Sequence, residues 1–426
     1  MRVASRTASL VFLLGLATAG CSRRNLDVGA GQIGHDAAGG SGELTDAGPA
    51  NPGDGRPLPV DAGVVPPLDA GESDCVTVTV ALPWMKPSSA LARLEVAATT
   101  DAVAVMNRQP TTLDVRTYTR DGAIIAGYQF AADAQFLAGR DGRFLLVARG
   151  VTGDFVATAL DADLVGGTRL YTAPASATER MLGAVTLPTT TIVVTNEHFV
   201  NVGSGRAVPW SIALDVGDPA EFPASRLYGM AAQADRVLIA WGASNVLRRA
   251  VLDTSGTLVA RAHDDHYLGD VGSETTTAIP WDTGLLMFDG NGVRLTQIAF
   301  DLTLNVLGTN TQLRTYYRSA SPVAAIALLG RPVAFWLTVF PESDNTQGFT
   351  IHQLYACDID LTAPATCLGT SPIAATGLGG YGIAQEPLAA AAIPDSGSFA
   401  IAHTDVTGRS WLRIADRDCA NRRDGP

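Results

Sequence analysis

Seven short apolar runs recur along the chain: VAVMNR from Val103, FLLVARG from Phe144, IVVTNEH from Ile192, VLIAWGA from Val237, LLMFDGN from Leu285, VAFWLTV from Val333 and FAIAHTD from Phe399. Their starts lie 41, 48, 45, 48, 48 and 66 residues apart. Each run is apolar at consecutive positions, as in a strand covered on both faces, and an alternating segment follows it, as in a half-exposed strand. Turn residues precede several runs, at Asp141-Gly142, Asp235-Arg236, Asp282-Thr283-Gly284 and Asp395-Ser396-Gly397. The alternating strand ends in aspartate at Asp161, Asp215, Asp253, Asp301, Asp358 and Asp416, with Thr119 at the first such position. In five of the seven copies that position lies 16 or 17 residues from the start of the run. The two longer copies read as carrying extended loops, at Asn201 to Arg206 and Pro341 to Gly348, which makes those loops candidates for function.

The fourth copy resolves into four strands, LYGMAAQ, VLIAWGA, LRRAVLD and TLVARAHDD, joined by turns. A four-stranded meander repeating about every 40–50 residues resembles the blade of a β-propeller. The pattern therefore predicts an all-β propeller of seven four-stranded blades over residues 75–420, with a tail at 421–426. The seventh unit has only three strands, near Leu388, Phe399 and Trp411, while CVTVTVALPW at 75–84 has no other partner. The N-terminal strand is thus expected to complete the last blade and close the ring. The units carry no Trp-Asp ending, no Asp-box and no kelch double glycine, so the resemblance implies a fold and no particular task.

Upstream of the repeats the texture changes. Arg2 and Arg6 precede the apolar run LVFLLGLATAG, which is a secretion-signal layout and is too short for a membrane span of about 20 residues. The run ends Thr18-Ala19-Gly20-Cys21, which resembles the lipobox of bacterial lipoproteins, although Thr18 stands where that family favours Leu. The resemblance implies removal of residues 1–20, diacylation of Cys21 and a membrane anchor. Ser22 after the cysteine implies the outer membrane, with the domain in the periplasm or on the cell surface. Residues 22–74 are rich in Gly, Ala, Pro and Asp and nearly free of large apolar side chains, so a disordered linker is expected over 21–74. As a flexible coil it would reach roughly 40 Å. Its DAG triplets at Asp46, Asp61 and Asp69 lack the fixed period of a calcium repeat.

Charge and cysteines narrow the picture. The net charge of −12 becomes −14 once Arg2 and Arg6 leave with the signal, and an acidic protein lacks the basic footprint that nucleic acid requires. With Cys21 assigned to lipid, Cys75, Cys357, Cys367 and Cys419 remain, an even number suited to an oxidising compartment. Four cysteines allow three pairings. Cys357 and Cys367 bracket a short turn, and Cys75 and Cys419 bracket nearly the whole domain, so those two pairs are expected.

Candidate chemistry is sparse. The densest titratable cluster is His263-Asp264-Asp265-His266, with Asp270 close behind. On an extended strand the two histidines point to opposite faces, so His263, Asp265 and His266 read as an exposed turn before they read as metal ligands. His198, His352 and His403 lie in or beside repeat strands and read as packed or hydrogen-bonded histidines. The recurrent aspartates suit turn formation better than a ring of carboxylates, and Asp289-Gly290-Asn291-Gly292 reads as a hairpin turn. There is no nucleophile elbow, phosphate-cradling loop or zinc-ligand spacing, and no cofactor is implied. The sequence points to a tethered binding scaffold for another envelope protein or a glycan. The competing classes are a polysaccharide hydrolase or lyase, marked by paired carboxylates or a His with a carboxylate orienter, and a structural assembly factor.

Overall fold

The computed structural model describes residues 56–57 and 74–421, apart from 86–92, 132, 140–141, 151, 166, 224–225, 244–245, 265–276, 282, 289–293, 310–323, 342–349, 363–364, 380–387 and 406–407. Seven antiparallel sheets follow one another along the chain. Blades 1 to 6 span residues 93–131, 135–173, 181–209, 226–264, 277–309 and 324–379. Blade 7 combines Leu388–Ala392, Ser398–Thr404 and Arg409–Asp416 with Val76–Met85, which pairs with Arg409–Asp416 as the outermost strand. The N-terminal strand therefore completes the last blade.

The packing of the second strands shows why their sequences are apolar at every position. In blade 2, Phe144 and Leu146 pack toward blade 1, while Leu145 and Val147 pack toward blade 3. Alternate residues of one strand thus feed two interfaces. The apolar core is divided into seven clusters, one between each pair of consecutive blades, and the last joins blade 7 to blade 1. That closed sequence of interfaces makes the molecule a seven-bladed β-propeller.

Both expected disulfides are present. Cys75 and Cys419 are bonded with Cα atoms 5.3 Å apart across a sequence separation of 344. Both sit in the cluster between blades 6 and 7, beside Phe335 and Phe399, whose ring centroids are 5.0 Å apart. Cys357 and Cys367 tie the third strand of blade 6 to its fourth, with Cα atoms 5.6 Å apart.

Antiparallel meandering gives the ring two distinct faces. One carries the turns between first and second and between third and fourth strands; we call it the turn face. The other carries the hairpins between second and third strands and the connections between blades; we call it the connection face. Links on the turn face are two to seven residues long, whereas those on the connection face reach sixteen, at 210–225.

Several sequence expectations need correction. Asn201 to Arg206 is no extended loop: His198–Asn201 and Arg206–Pro209 are the third and fourth strands of blade 3, and these residues form the tight hairpin between them. Asp215 therefore does not end a third strand; it follows the short helix Trp210–Ala213 with φ +52°. The longer distance in blade 6 is real, because its middle strands extend to Arg331–Pro341 and Thr350–Asp360 around residues 342–349. There the residue at the strand end is Asp360, and Asp358 is instead buried inside the blade. Upstream of the propeller, the two residues Arg56–Pro57 pair with the outer strand of blade 1. Asp418–Asn421 forms one short helical turn that carries Cys419.

Candidate functional site

The connection face carries one compact titratable group among the described residues, built from two segments. One is the connection from blade 2 to blade 3, residues 174–180; the other is the hairpin at 196–197 between Thr191–Thr195 and His198–Asn201. The Thr195 hydroxyl shapes the hairpin by accepting the N–H groups of Glu197 at 3.1 Å and His198 at 2.7 Å. Trp210 fixes the same turn by donating its indole N–H to the Thr195 carbonyl at 2.9 Å.

Into this turn the connection inserts Glu179, whose side chain is 0% exposed. Its Oε1 accepts from the Thr195 hydroxyl and lies 2.9 Å from His198 Nδ1, and its Oε2 accepts the Ser176 N–H at 3.0 Å. Glu197 accepts from the hydroxyls of Thr178 at 2.6 Å and Ser176 at 2.7 Å. These bonds, Thr178's foremost, hold the Glu197 carboxyl below its usual range. Ligand atoms of Glu179, Glu197 and His198 lie within 4.8 Å of one another.

Two carboxylates and an imidazole are donors a divalent cation accepts. As arranged, however, all four carboxylate oxygens already receive hydrogen bonds. A glycosidase pair needs carboxyl groups that reach substrate, and Glu179 is sealed from solvent. The His198–Glu179 contact has the form of a carboxylate orienting a base, but the nearby hydroxyls of Ser176 and Thr178 bond to Glu197. The group therefore acts as a clasp that locks the connection from blade 2 onto blade 3. Sequence reasoning took His198 as a hydrogen-bonded histidine, which it is, and overlooked Glu179. The signal lay in two short polar segments, TER and NEH, that the blade register brings to the same face.

The other candidates are dispersed. His263 is exposed on the outer strand Leu258–Asp264 of blade 4, opposite Arg248. Asp265 and His266 lie outside the described residues, as do Asp289 to Gly292 and Cys21. His352 lies on a middle strand of blade 6, paired with Val339 and Gly377. His403 is fully buried in blade 7 and accepts a hydrogen bond on Nε2 from Arg413 Nε at 3.1 Å. Burial lowers His403 to about 4, against the opposing effects of Asp405 and the Thr404 backbone, and lowers Arg413 to about 10.

Four of the recurrent aspartates, Asp161, Asp253, Asp301 and Asp416, serve the turn face, as does Asp360 in blade 6. Asp253 accepts the N–H groups of Ser255 and Thr257, Asp301 that of Thr303 and Asp360 that of Thr362. Asp161 receives Arg143, and Asp416 the Ser398 hydroxyl. Burial raises Asp253, but the bonds from Ser255 and Thr257 together outweigh it and leave the group lowered. Asp358 differs from all of these. It is buried beneath Arg417 of blade 7, which donates at 2.8 Å, with Arg331 of blade 6 at 3.7 Å.

No family model matches the sequence, and no curated protein does either. Solved structures similar in shape include the WD40 domain of Toxoplasma gondii coronin, at 12% identity and TM-score 0.37 over 82% of this chain and 88% of that one. The Dos1 propeller is 8% identical with TM-score 0.38, over 79% and 95%. A putative 6-phosphogluconolactonase from Bacteroides fragilis is 13% identical with TM-score 0.39, over 76% and 94%. The propeller assignment stands on the seven sheets and the seven interfaces between them. No helix among the described residues is long and apolar enough to cross a membrane.

Proposed function

We propose that this chain is an envelope lipoprotein, anchored at the outer membrane through Cys21, whose propeller is a binding scaffold for another envelope protein or a glycan. The observation that carries the reading is the asymmetry between the two faces. Turn-face links are short, and those after the third strands of blades 4 to 6 are capped by their own aspartates, while the strand ends around 265–276, 310–323, 342–349 and 380–387 all open on the connection face of blades 4 to 7. Variable length concentrated on one face of a rigid scaffold is how binding surfaces are built. The acidic charge directs the partner away from nucleic acid and anionic lipid headgroups. An enzymatic role has less support, because the Glu179–Glu197–His198 group of the connection face is engaged as a clasp.

Capture of envelope partners by the full chain, run beside a glycan array, tests the binding claim. Replacing 310–323 by a Gly-Ser segment of equal length should abolish capture, and Asp301→Asn on the turn face should leave it intact. Capture that survives the first and fails with the second would overturn the assignment of the binding face. For the anchor, Cys21→Ala should move the protein from the membrane fraction to the soluble fraction. An unmodified Cys21 in the mature wild-type chain would end that part of the proposal.

A further inference from the structure

The outer strand of each blade exposes a row of backbone N–H and C=O groups that can pair with another strand. Bulges interrupt such rows and twist them away from partners. The pairing of the outer strand breaks at one or more bulges in every blade but blade 3, whose outer strand is only four residues long; in blade 1 the break lies at the turn-face end, between Thr117 and Tyr118. Blade 1 keeps the longest regular stretch among the described residues: 126–131 pair without interruption with 112–117. On this edge, and on no other among the described residues, a fifth strand is added. Arg56 pairs with Gln129 and Pro57 with Tyr128, antiparallel.

From this placement we propose that the outer edge of blade 1 is a strand-addition site whose occupant is the chain's own leader around Arg56–Pro57. Three features fit that occupant. The register sets Arg56 opposite Gln129 and Pro57 opposite Tyr128, within the uninterrupted part of the edge. Pro57 has no N–H to leave unpaired, and proline is suited to an edge strand.

Direction provides the third. Ile124–Ala131 runs from the turn face to the connection face, so its antiparallel partner descends toward the turn face. That is where the chain enters blade 7 at Cys75, and blade 7 adjoins blade 1. Residues 58–73 join the two points and could span at most about 55 Å when extended. The leader is thus held at two places on neighbouring blades, and its pairing covers the edge most open to a second copy of the chain.

Hydrogen exchange on the full chain tests this. Replacing residues 54–59 with Gly-Ser lies outside the ring, so the blades should keep their melting temperature while the outward-pointing amides of 126–131 exchange at least tenfold faster. The same variant should associate as its concentration rises. Unchanged exchange at 126–131 would overturn the proposal. An independent reading comes from a photo-crosslinking residue at position 58 of the otherwise native chain. Crosslinks confined to 124–131 support the site, and crosslinks scattered over several blades refute it. Neither measurement depends on the fate of Cys21.

Discussion

His403 shows how far burial outweighs hydrogen bonding for a single side chain. The ring is fully enclosed and its Nε2 is an acceptor for Arg413, so the proton of the neutral imidazole resides on Nδ1. With its pKa at about 4 in the folded state and 6.5 as a free side chain, the unfolded chain binds a proton between those values while the folded chain does not. Stability is therefore complete above pH 6.5 and falls as pH drops toward 4, by about 3 kcal/mol from this residue. Chemical denaturation of wild type and His403→Gln at pH 7 and pH 4.5 should show a clearly smaller loss for the variant. The lowered turn aspartates act in a separate window, since their contribution is lost only as pH falls below about 3.8. Asp358 makes a second residue-scale case. Its carboxylate is sealed and bonded to Arg417 across the seam between blades 6 and 7. Asp358→Ala should cost about 2–4 kcal/mol, whereas Asp360→Ala, on an exposed turn, should change the melting temperature far less. Equal effects in a thermal scan would contradict this division.

At the scale of the element, one turn position recurs and is solved in two ways. In the link from third to fourth strand, Gly122, Leu164, Gly256 and Leu302 each donate their N–H to the carbonyl three residues earlier, and all four have positive φ. In blades 1 and 4 the glycine leaves room for the preceding blade: a Cβ would approach Val78 to 2.6 Å at Gly122 and Val208 to 2.7 Å at Gly256. In blades 2 and 5 the leucine fills that space itself, buried against the preceding blade. A left-handed leucine costs about 1–2 kcal/mol, and burying it returns about 1.5–3 kcal/mol, so burial wins narrowly. Leu302→Gly should accordingly destabilise by only about 1 kcal/mol, while Gly256→Leu should be far more damaging because the space is already taken; urea midpoints of the two variants decide it.

The same scale explains what the sequence could reveal. The second strands were legible because burial on both sides writes itself as unbroken apolar runs. Asp215 and Asp358 were misplaced because a short third strand in blade 3 and a bulge in blade 6 shift the register without any mark in composition. Glu179 escaped notice because its partners come from the next hairpin in space, nineteen residues away from it at His198.

For the whole molecule, the decisive structure is the join between its two ends. Val76–Met85 and Arg409–Asp416 share a sheet, Thr77 donates its hydroxyl to the Ile414 carbonyl at 3.0 Å, and the Asp358–Arg417 pair and the Cys75–Cys419 bond lie at the same seam. Closing a loop of that length contributes up to about 5 kcal/mol in the chain-entropy description. The Cys75→Ser, Cys419→Ser double variant should lose about 2–5 kcal/mol, with hydrogen exchange first accelerating in the outer strand of blade 7. Acceleration beginning in blades 3 and 4 would place the weak point elsewhere.

The Cys75–Cys419 bond also changes what a protease can accomplish. It makes residues 75–419 a covalent circle, so one cleavage in any connection leaves a single molecule with every blade still linked to the next through one path or the other. Such a nicked chain would migrate intact on a denaturing gel until reductant is added, then fall into two pieces. In a compartment where exposed loops meet proteases, the longest connections can be cut once without any part of the ring being released.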